Sequence, residues 1–457
     1  MRKESDYLGE LSVPDSAYWG CHTQRALNNF PSTGERMDGL FIWAYFMIKK
    51  AAALLNGELG YMDEKIWKAI AKACDEWEKL KEHIVVDPLC GGAGTSINMN
   101  FNEVIANRAT EILGGSKGEY IVDPISHVNL HQSTNDTLPT AGKIALILRI
   151  ERLEKEIVSL QEAVQKKEKE FYGVRKPGRT QLMDGPPIML GQEFGAWADA
   201  LARDRWRLNK VIERIRSVNL GGTAIGTGIG APKRYILKIV EKVREITKVK
   251  IAKAENLIDA TQNWDVFAEV HGLLRSLAVN LFKISGDIRL LSSGPQTAIG
   301  ELKLPSVQAG SSIMPGKINP VIPEYTMQIC LLVFSNDVAI EHACSLGNLE
   351  LNQFAPLIIH LTLKSALLLT NTCKVLSEYI QKINADEKRC KENLERSASN
   401  LTPLINEFGY EKLSKAIKAS NWDIEKAIEI LAQEEGIKAE EIKRKLCFKK
   451  MTGLGYE

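Results

Sequence analysis

Apolar residues recur at alternating steps of three and four along the central part of the chain. Three such series are Leu146, Ile150, Leu153, Ile157, Leu160 and Val164; Phe194, Trp197, Leu201, Leu208, Ile212 and Ile215; and Leu274, Leu277, Leu281, Ile284, Ile288 and Leu291. This spacing places the apolar residues on one helix face and is typical of the seams of long bundle helices. Two more apolar segments, residues 323–345 and 353–383, continue the pattern. The sequence therefore predicts about five long helices packed as an antiparallel bundle.

The same pattern predicts three domains. A mainly helical N-terminal domain covers residues 1–137, the central helical bundle covers 138–392, and a small helical C-terminal domain covers 393–457. Residues 248–264, KVKIAKAENLIDATQNW, form the most loop-like or strand-like interruption of the bundle. The sequence contains no internal repeat and no low-complexity linker, so we expect the domains to pack closely.

Composition and charge exclude several classes of partner. The 457 residues are 44% hydrophobic and 25% charged, as in an ordinary globular protein. The formal net charge of +2 gives no sign of a nucleic-acid or membrane partner. None of the eight cysteines forms a CxxC pair, and the N-terminus shows no apolar signal segment. A cytoplasmic protein with reduced thiols is therefore expected.

Four polar segments interrupt the helical pattern. They are GGAGTSINMN (residues 91–100), HQSTND (131–136), GRTQL (178–182) and AGSSIMPGKINPVIPE (309–324). In the second and the fourth, a small polar residue and a proline stand at a helix start, as ordinary capping requires. Together, the four segments contain more hydroxyls and amides than capping needs, and the free N–H groups of helix N-termini favour carboxylates. The sequence therefore predicts a site for a small carboxylate.

The length of one predicted helix limits how this site can be assembled. The helix between Ser133 and Thr180 has about 33 residues and spans on the order of 50 Å at 1.5 Å per residue. The second and third segments are therefore expected near its opposite ends, and one site can use both only if another subunit supplies one of them. A symmetric homo-oligomer with sites shared between subunits would meet this requirement.

The motif AGSSIMPGKINP resembles the signature loop of the fumarase/aspartase superfamily, usually written GSSxMPxKxNP. The other three segments, with DYLGELSVPDSAYWGCHTQRALNNF and NLGGTAIGTGIG, are similar to further motifs of that superfamily, and the resemblance covers nearly the whole chain. It implies a mainly α, three-domain fold whose long helices assemble into the multi-helix core of a homotetramer. No cofactor and no metal are expected, although His127 and His131 have a spacing that can bind a metal on a helix.

The motif variants are most similar to those of the aspartase branch: GAGTS, QSTND, GRTQL, VQAGSS and NPVIPE. This resemblance implies a reversible elimination of ammonia from L-aspartate to give fumarate. AEVHG around His271 is instead similar to the fumarase pattern, so hydration of fumarate stays open as the alternative. Two less favoured alternatives also stay open: a lyase that acts on an aspartate analogue, and a structural relative without catalytic activity. Departures from the residues usual in the superfamily occur at Met183, Gly185, Gln296 and Ala355.

The resemblance also implies roles for individual residues. Ser311 would be the base that removes the C3 proton, with Lys317 and loop amides stabilising its alkoxide. The carboxylate next to C3 would be held by the hydroxyl groups of Thr95, Ser133, Thr134 and Ser312. The other carboxylate would be bound by Thr180, Lys317 and Asn319, and the amino group would face Asn135 and Gln181. Asn98 would support the site from behind, and Glu324 is either such a support or an ordinary first-turn acid.

Overall fold

The computed structural model describes residues 1–446, so Cys447 and the end of the predicted C-terminal domain lie outside the described residues. Most of the described chain is helical. In chain order the helices are α1 (Cys21–Asn29), α2 (Gly39–Glu58), α3 (Glu64–Asp75), α4 (Trp77–Leu80), α5 (Thr95–Ile112), α6 (Thr134–Glu170), α7 (Leu190–Ile215), α8 (Lys233–Thr247), α9 (Leu257–Gln262), α10 (Asp265–Leu291), α11 (Val321–Ser345), α12 (Ala355–Ile380), α13 (Glu387–Glu395), α14 (Ile405–Phe408), α15 (Tyr410–Ala419), α16 (Ile424–Glu435) and α17 (Ala439–Lys445).

Short strands add two-stranded ladders to these helices. They are β1 (Arg2–Asp6), β2 (Gly9–Val13), β3 (Arg175–Thr180), β4 (Met183–Met189), β5 (Ser217–Val218), β6 (Ala252–Lys253), β7 (Leu302–Lys303) and β8 (Asn384–Ala385). Strands β1 and β2, β3 and β4, and β7 and β8 pair antiparallel, whereas β5 and β6 pair parallel. The interruption predicted at residues 248–264 thus contains the short strand β6 and the short helix α9.

The five long helices predicted from the apolar pattern are confirmed. They are α6, α7, α10, α11 and α12, with 37, 26, 27, 25 and 26 residues respectively. Leu153, Ile157 and Leu160 of α6 have no exposed surface, as expected for a seam of a helix bundle. Within residues 1–446 no helix is long and apolar enough to cross a membrane.

The chain divides into two compact units. The first comprises Met1–Lys155, Trp206–Ala278 and Leu331–Thr370, and the second comprises Glu156–Arg205, Val279–Cys330 and the residues from Asn371 onward. The boundaries between the units fall inside the five long helices. The three domains predicted at residues 1–137, 138–392 and 393–457 are a different division and stay a prediction.

In the first unit, α2 is almost entirely buried. Its run FIWAYFMIKKAAALL packs against α3 and α8, and Tyr45 stacks on Phe101 of α5 with ring centroids 4.2 Å apart. Lys49 lies on this helix with no exposed surface, although a lysine is rarely buried without a partner. The polar side chains in this otherwise apolar layer lie beneath the first two polar segments of the sequence.

In the second unit, the hairpin of β3 and β4 packs against α13 and against the 3₁₀ segment Ala398–Leu404. Ser399 Oγ donates to the carbonyl of Gly185, 2.6 Å away. The C-terminal helices share an apolar cluster of their own that includes Phe408, Leu413 and Leu431. The hairpin is therefore held from both of its strands, and this matters because its tip carries the GRTQL segment.

Candidate active site

The first two polar segments meet in the first unit at the starts of two helices. Helix α5 begins at Thr95, directly after Gly94, whose φ is +87°. A Cβ atom at Gly94 would lie 2.9 Å from Leu138 Cδ2 of α6, so only glycine permits this close approach. The N-terminal turns of α5 and α6 are thereby neighbours, and the structure brings the segments around Thr95 and Ser133 together.

Asn129 is the centre of a buried amide cluster beneath these helix starts. Its Oδ1 accepts hydrogen bonds from Lys49 Nζ at 2.9 Å, Asn98 Nδ2 at 3.1 Å and Asn102 Nδ2 at 3.2 Å. Burial lowers the pKa of Lys49 to about 7, because a charged ammonium group loses its hydration there. The cluster fixes the loop that leads into Ser133.

Asn98 also connects α5 to α6. Tyr45 O–H donates to Asn98 Oδ1 at 3.0 Å and lies 2.9 Å from Thr137 Oγ1. Thr137 in turn donates to the carbonyl of Ser133 at 2.8 Å. Asn98 is only 3% exposed, and its role as a support for the site stays a prediction.

Ser133 and Asp136 cap the start of α6 reciprocally. Asp136 Oδ1 accepts from the N–H of Ser133 at 3.0 Å, and Ser133 Oγ accepts from the N–H of Asn135 at 3.2 Å. This is the arrangement of a capping box, with aspartate in the place of glutamate. The cap uses Ser133 Oγ as an acceptor, and the hydroxyl proton therefore stays available for a carboxylate.

Asp136 is fully buried and was not among the residues selected from the sequence. Its Oδ2 accepts from the N–H groups of Gly221 and Thr223, each at 3.1 Å. Burial raises the pKa of Asp136 to about 7, against the opposing effect of these hydrogen bonds and of the Ser133 N–H. The S-x-x-D spacing in STND is the sequence signal that identifies its capping role.

The third segment forms the tip of the β3–β4 hairpin in the second unit. Thr180 pairs with Met183, and the two residues between them, Gln181 and Leu182, have φ values of +54° and +64°. Two left-handed residues in a two-residue loop are the geometry of a type I′ turn, which normally uses Asn-Gly. For residues with a side chain this conformation costs about 1–2 kcal/mol each, and such strain is concentrated at functional sites.

A buried ion pair anchors this hairpin. Arg179 donates from Nη1 and Nη2 to the two carboxylate oxygens of Glu301, at 2.9 and 2.7 Å. Lys176 Nζ lies 3.2 Å from Glu301 Oε2, and Asn393 Nδ2 donates to Oε1 at 3.0 Å. Burial of Glu301 opposes its charge, but these partners outweigh it and hold the pKa of Glu301 below its ordinary value.

The fourth segment is a closed loop in the second unit. The N–H of Gly310 donates to the carbonyl of Lys317 at 3.0 Å, and Asn319 Nδ2 donates to the carbonyl of Gly310 at 2.6 Å. A Cβ atom at Gly310 would lie 2.3 Å from the Lys317 carbonyl oxygen, so the closure requires glycine. These contacts join the two ends of the loop. The residues from Ser312 to Ile318, which lie between the ends, are exposed.

Ser311 has a specific hydrogen-bonding environment within this loop. Its Oγ accepts from the N–H groups of Ile313 at 3.2 Å and Met314 at 3.0 Å. Backbone N–H groups aimed at one oxygen stabilise negative charge on that oxygen. The side chains of Ile313 and Met314 gave no signal of this function, because their N–H groups carry it.

Glu324 lies one turn into α11 and is half-buried. Its Oε1 is 3.9 Å from Nε of Arg289, and the two side chains are each 42% exposed. An ion pair this long and this exposed contributes little stability. Both predicted roles of Glu324 therefore stay open: it either supports the site or is an ordinary acidic residue in the first turn of a helix.

The selected residues fall into two sets. Those in the first unit are Thr95, Asn98, Ser133, Thr134 and Asn135, and those in the second are Thr180, Gln181, Ser311, Ser312, Lys317, Asn319 and Glu324. The structure brings the first set together at two neighbouring helix starts. In the second set, it places Thr180 with Gln181 in one hairpin tip and Ser311, Ser312, Lys317 and Asn319 in one loop.

The two histidines with helical metal-ligand spacing have other neighbours. His131 Nδ1 lies 2.8 Å from Asn56 Oδ1, and His127 Nδ1 accepts from the N–H of Asp123 at 2.9 Å. His127 lies in a single π-helical turn, Pro124–Val128, which follows Asp123. Across residues 1–446, no group of three or more histidine, cysteine, aspartate or glutamate side chains is placed to hold a metal ion.

His271, which carries the fumarase-like pattern AEVHG, is buried in the first unit. Its Nδ1 lies 2.7 Å from Asp337 Oδ1, and its Nε2 lies 2.9 Å from Ser365 Oγ. Burial lowers the pKa of His271, although the hydrogen bond with Asp337 acts in the opposite direction. Since neither His271 nor Ser365 has exposed surface, this network connects bundle helices and is closed to substrate.

Comparison with known proteins agrees with this geometry. A family model described as lyase matches residues 9–335. Aspartate ammonia-lyase of a Bacillus species is 42% identical over 453 residues, which cover 98% of this chain and 93% of that protein. Aspartate ammonia-lyase of Escherichia coli K12 is 42% identical over 417 residues, covering 90% and 87% of the two chains.

Solved structures give the same result for the fold. A fumarate lyase:delta crystallin from Brucella melitensis bound to cobalt superposes with a TM-score of 0.93 at 42% identity, covering 99% of this chain and all of that one. A class II fumarase from Schistosoma mansoni has a TM-score of 0.93 at 29% identity, covering 98% of both chains. The fold and the four polar segments define a helical-bundle lyase. The chain belongs to the fumarase/aspartase superfamily.

The anchor of the hairpin leads to a stability prediction. Glu301→Gln removes the carboxylate from the half-buried Arg179 and leaves the buried Lys176 with Glu193 alone. We expect the free energy of unfolding at pH 7 to fall by about 3 kcal/mol. The pKa of Glu301 lies below the 4.5 of the unfolded chain, so its contribution is full above pH 4.5 and is lost as the pH falls. Thermal unfolding of both proteins from pH 7 down to pH 3.5 measures whether the difference shrinks.

The matched control is Glu395→Gln. Glu395 forms an exposed i,i+4 pair with Lys391 on α13, so its loss should change the free energy of unfolding by less than about 0.5 kcal/mol. Equal stability of Glu301→Gln and the wild type at pH 7 would contradict the anchoring role.

Proposed function

We propose that this protein is a carbon–nitrogen lyase that eliminates ammonia from L-aspartate to give fumarate, and that the reaction is reversible. The observation that carries the proposal is the pair of N–H groups that donate to Ser311 Oγ in the closed loop. Relatives named aspartate ammonia-lyase, similar over nearly the whole chain, support the choice of substrate. The substrate is a small dicarboxylate.

The chemical step needs a base and a way to stabilise negative charge. The C3 proton is weakly acidic, so its removal builds charge on the adjacent carboxylate. Ser311 as an alkoxide takes this proton, and the electron pair of the C3–H bond passes into the carboxylate to give an aci-carboxylate. The N–H groups of Ile313 and Met314 lower the cost of that alkoxide, and Lys317 on the same loop adds positive charge.

Donors at the helix starts then hold the intermediate. In this proposal, Thr95, Ser133 and Thr134 of the first unit and Ser312 of the closed loop donate to the aci-carboxylate. The carboxylate next to the amino group is bound by Thr180, Lys317 and Asn319. When the intermediate collapses, the electron pair forms the C2–C3 double bond, the C–N bond breaks, and ammonia leaves.

The leaving group is where ammonia elimination and water elimination differ. Gln181 and Asn135 are proposed to face the amino group, and neither side chain titrates. An amide can accept a hydrogen bond from an ammonium group but cannot shuttle a proton, whereas loss of water profits from an ionisable group such as histidine. Since nitrogen leaves already protonated, these amides suit ammonia better than water.

We also propose that the enzyme is a homotetramer with each site shared between subunits, and that it is cytoplasmic. The site residues are divided between two units of the chain, and α6 is a continuous helix of 37 residues, about 55 Å long, that begins one residue after Ser133. A symmetric oligomer lets segments of different subunits meet in one site. The eight cysteines, none of which forms a CxxC pair, support the cytoplasmic location.

The role of Ser311 is tested by Ser311→Ala. Loss of the base should lower kcat by about 10³-fold or more while the thermal midpoint stays within experimental error, because Ser311 is half-buried in a loop and takes no part in an apolar core. Steady-state absorbance of fumarate measures kcat, and Ser306→Ala, an exposed serine five residues earlier, is the control that should keep full activity. A Ser311→Ala enzyme with a substantial fraction of wild-type kcat would remove Ser311 from this role.

The choice of leaving group is tested with two substrates. We expect kcat/KM for L-aspartate to exceed that for L-malate by at least about a hundredfold, which corresponds to about 2.7 kcal/mol of transition-state binding. Fumarate formation from each substrate, at matched enzyme concentrations, gives the ratio. Equal activity on both substrates would assign the protein to fumarate hydration.

Sharing of the site between subunits is tested by mixing two inactive variants. Thr134→Ala changes the first unit and Ser311→Ala the second, so hybrid tetramers contain some sites in which both halves are intact. Activity should return to at most about a quarter of the wild-type value after co-refolding. Light scattering should give four times the mass of one chain, and an active monomer or a mixture that stays inactive would refute the shared site.

A further inference from the structure

Residues 219–230, NLGGTAIGTGIG, form a glycine-rich loop that has no part in the mechanism so far. The loop belongs to the first unit and lies against the start of α6. Its contacts are with Asn135 and Asp136, and Asn135 is the residue proposed to face the amino group of the substrate. The glycine-rich loop is therefore placed to control how Asn135 meets the leaving group.

The loop holds the main chain of Asn135 through a carbonyl that α6 does not use. The fourth residue beyond Asn135 is Pro139, which has no N–H and so cannot make the usual i+4 helical hydrogen bond. The Asn135 carbonyl instead accepts from Asn219 Nδ2 at 2.9 Å. Asn219 is fully buried and also donates to Thr261 Oγ1 at 2.9 Å, so its amide is fixed.

The loop also holds the side chain of Asn135. Asn135 Nδ2 donates to the carbonyl oxygen of Ala224 at 2.7 Å. An amide side chain has one donor end and one acceptor end. One N–H of Nδ2 is engaged at Ala224, which fixes the plane of the amide, and Oδ1 is the acceptor that remains for another partner.

Asp136 fixes the position of the Ala224 carbonyl. Its Oδ2 accepts from the N–H groups of Gly221 and Thr223, the residue before Ala224, while its Oδ1 accepts from Ser133. One buried carboxylate thus joins the glycine-rich loop to the cap of α6.

The loop itself has little freedom to move. Thr223 is held at φ +56°, and its Oγ1 donates to the carbonyl of Ile229 at 2.8 Å. The N–H groups of Gly226 and Gly228 both donate to the carbonyl of Gly222, at 3.0 and 2.9 Å. A Cβ atom at Gly226 would lie 2.4 Å from Ile258 Cα, so the loop packs against Ile258 too closely to accept any side chain at this position.

We propose that the glycine-rich loop, held by Asp136 and Asn219, orients the Asn135 amide so that Oδ1 faces the amino group of the substrate. An ammonium group has only donors, so it needs an acceptor opposite it. If the amide were free to rotate, its NH₂ end would oppose the ammonium and leave both groups unpaired. Asp136 and Asn219 are positioning residues, since neither reaches the substrate. The inference rests on the proposed function.

The test compares a ligand that has an amino group with one that does not. The variants are Asp136→Asn, which weakens the hold on the loop, and Asn219→Ala, which releases the main chain of Asn135. Each is assayed for kcat/KM with L-aspartate and for the inhibition constant of succinate, a dicarboxylate without an amino group. The control is Asn263→Ala, which removes an exposed amide of the same unit that donates to Asp259 Oδ1 and leaves Asn219 and Asn135 untouched.

We expect kcat/KM for L-aspartate to fall about 30-fold in Asp136→Asn and about tenfold in Asn219→Ala, and the succinate constant to change less than about threefold. Asn263→Ala should keep both values near those of the wild type. A merely structural role would weaken succinate and L-aspartate alike, and that result would overturn the inference. Unchanged activity on L-aspartate in both variants would overturn it as well.

The wild-type assay separates this inference from the function on which it rests. A wild type without activity on L-aspartate refutes both. A wild type that deaminates L-aspartate, together with variants whose ratio of the two constants is unchanged, refutes only the role of the glycine-rich loop. If Asp136→Asn does not fold, Asn219→Ala decides, because it removes one amide and leaves the buried carboxylate in place.

Discussion

The buried carboxylate of Asp136 is the interaction on which the first unit's half of the site depends. A carboxylate without water is costly unless hydrogen bonds replace its hydration. Here the N–H groups of Ser133, Gly221 and Thr223 replace part of that hydration. Because the donors come from two separate chain segments, satisfying the charge also fixes the segments relative to each other. The residues that would bind substrate, Thr134 and Asn135, lie between Ser133 and Asp136 and inherit this rigidity.

The second unit uses the same principle with other groups. Glu301 is buried against Arg179 and Lys176, and so the strand that ends in Thr180 and Gln181 cannot move independently. The loop of Ser311 is closed by main-chain contacts at Gly310. In both units, buried charged or amide side chains such as Asp136, Asn219 and Glu301 hold segments whose site side chains range from buried, as in Thr134, to exposed, as in Ser312.

Backbone strain, in the form of positive φ angles at residues other than glycine, occurs in the same segments. Gln181, Leu182 and Thr223 all have positive φ although none is glycine. Each lies in a tight turn next to a proposed substrate contact or to its support. Conformations of this kind persist where the surrounding structure determines them, which fits residues whose exact orientation matters more than their contribution to stability.

The amino-acid sequence by itself determined the helical part of this protein. Steps of three and four between apolar residues define a helix face wherever the chain lies, so five long helices could be predicted, two of them with bounds that differ from the structure by no more than three residues. The functional groups of the four polar segments could also be identified from the sequence, because the hydroxyls, amides and lysine follow directly from the residue types. The cap at Ser133 and Asp136 is local too and follows from the spacing of STND.

Only the tertiary structure decided which distant groups support these segments. The contacts of Asp136 with Gly221, of Asn219 with Asn135 and of Arg179 with Glu301 join residues 84 to 122 positions apart. No local rule specifies such pairs, because they depend on how elements pack and on where burial leaves a charge without water. The N–H groups that point at Ser311 Oγ were invisible for a different reason: every residue except proline has one, and only the backbone conformation shows where it points.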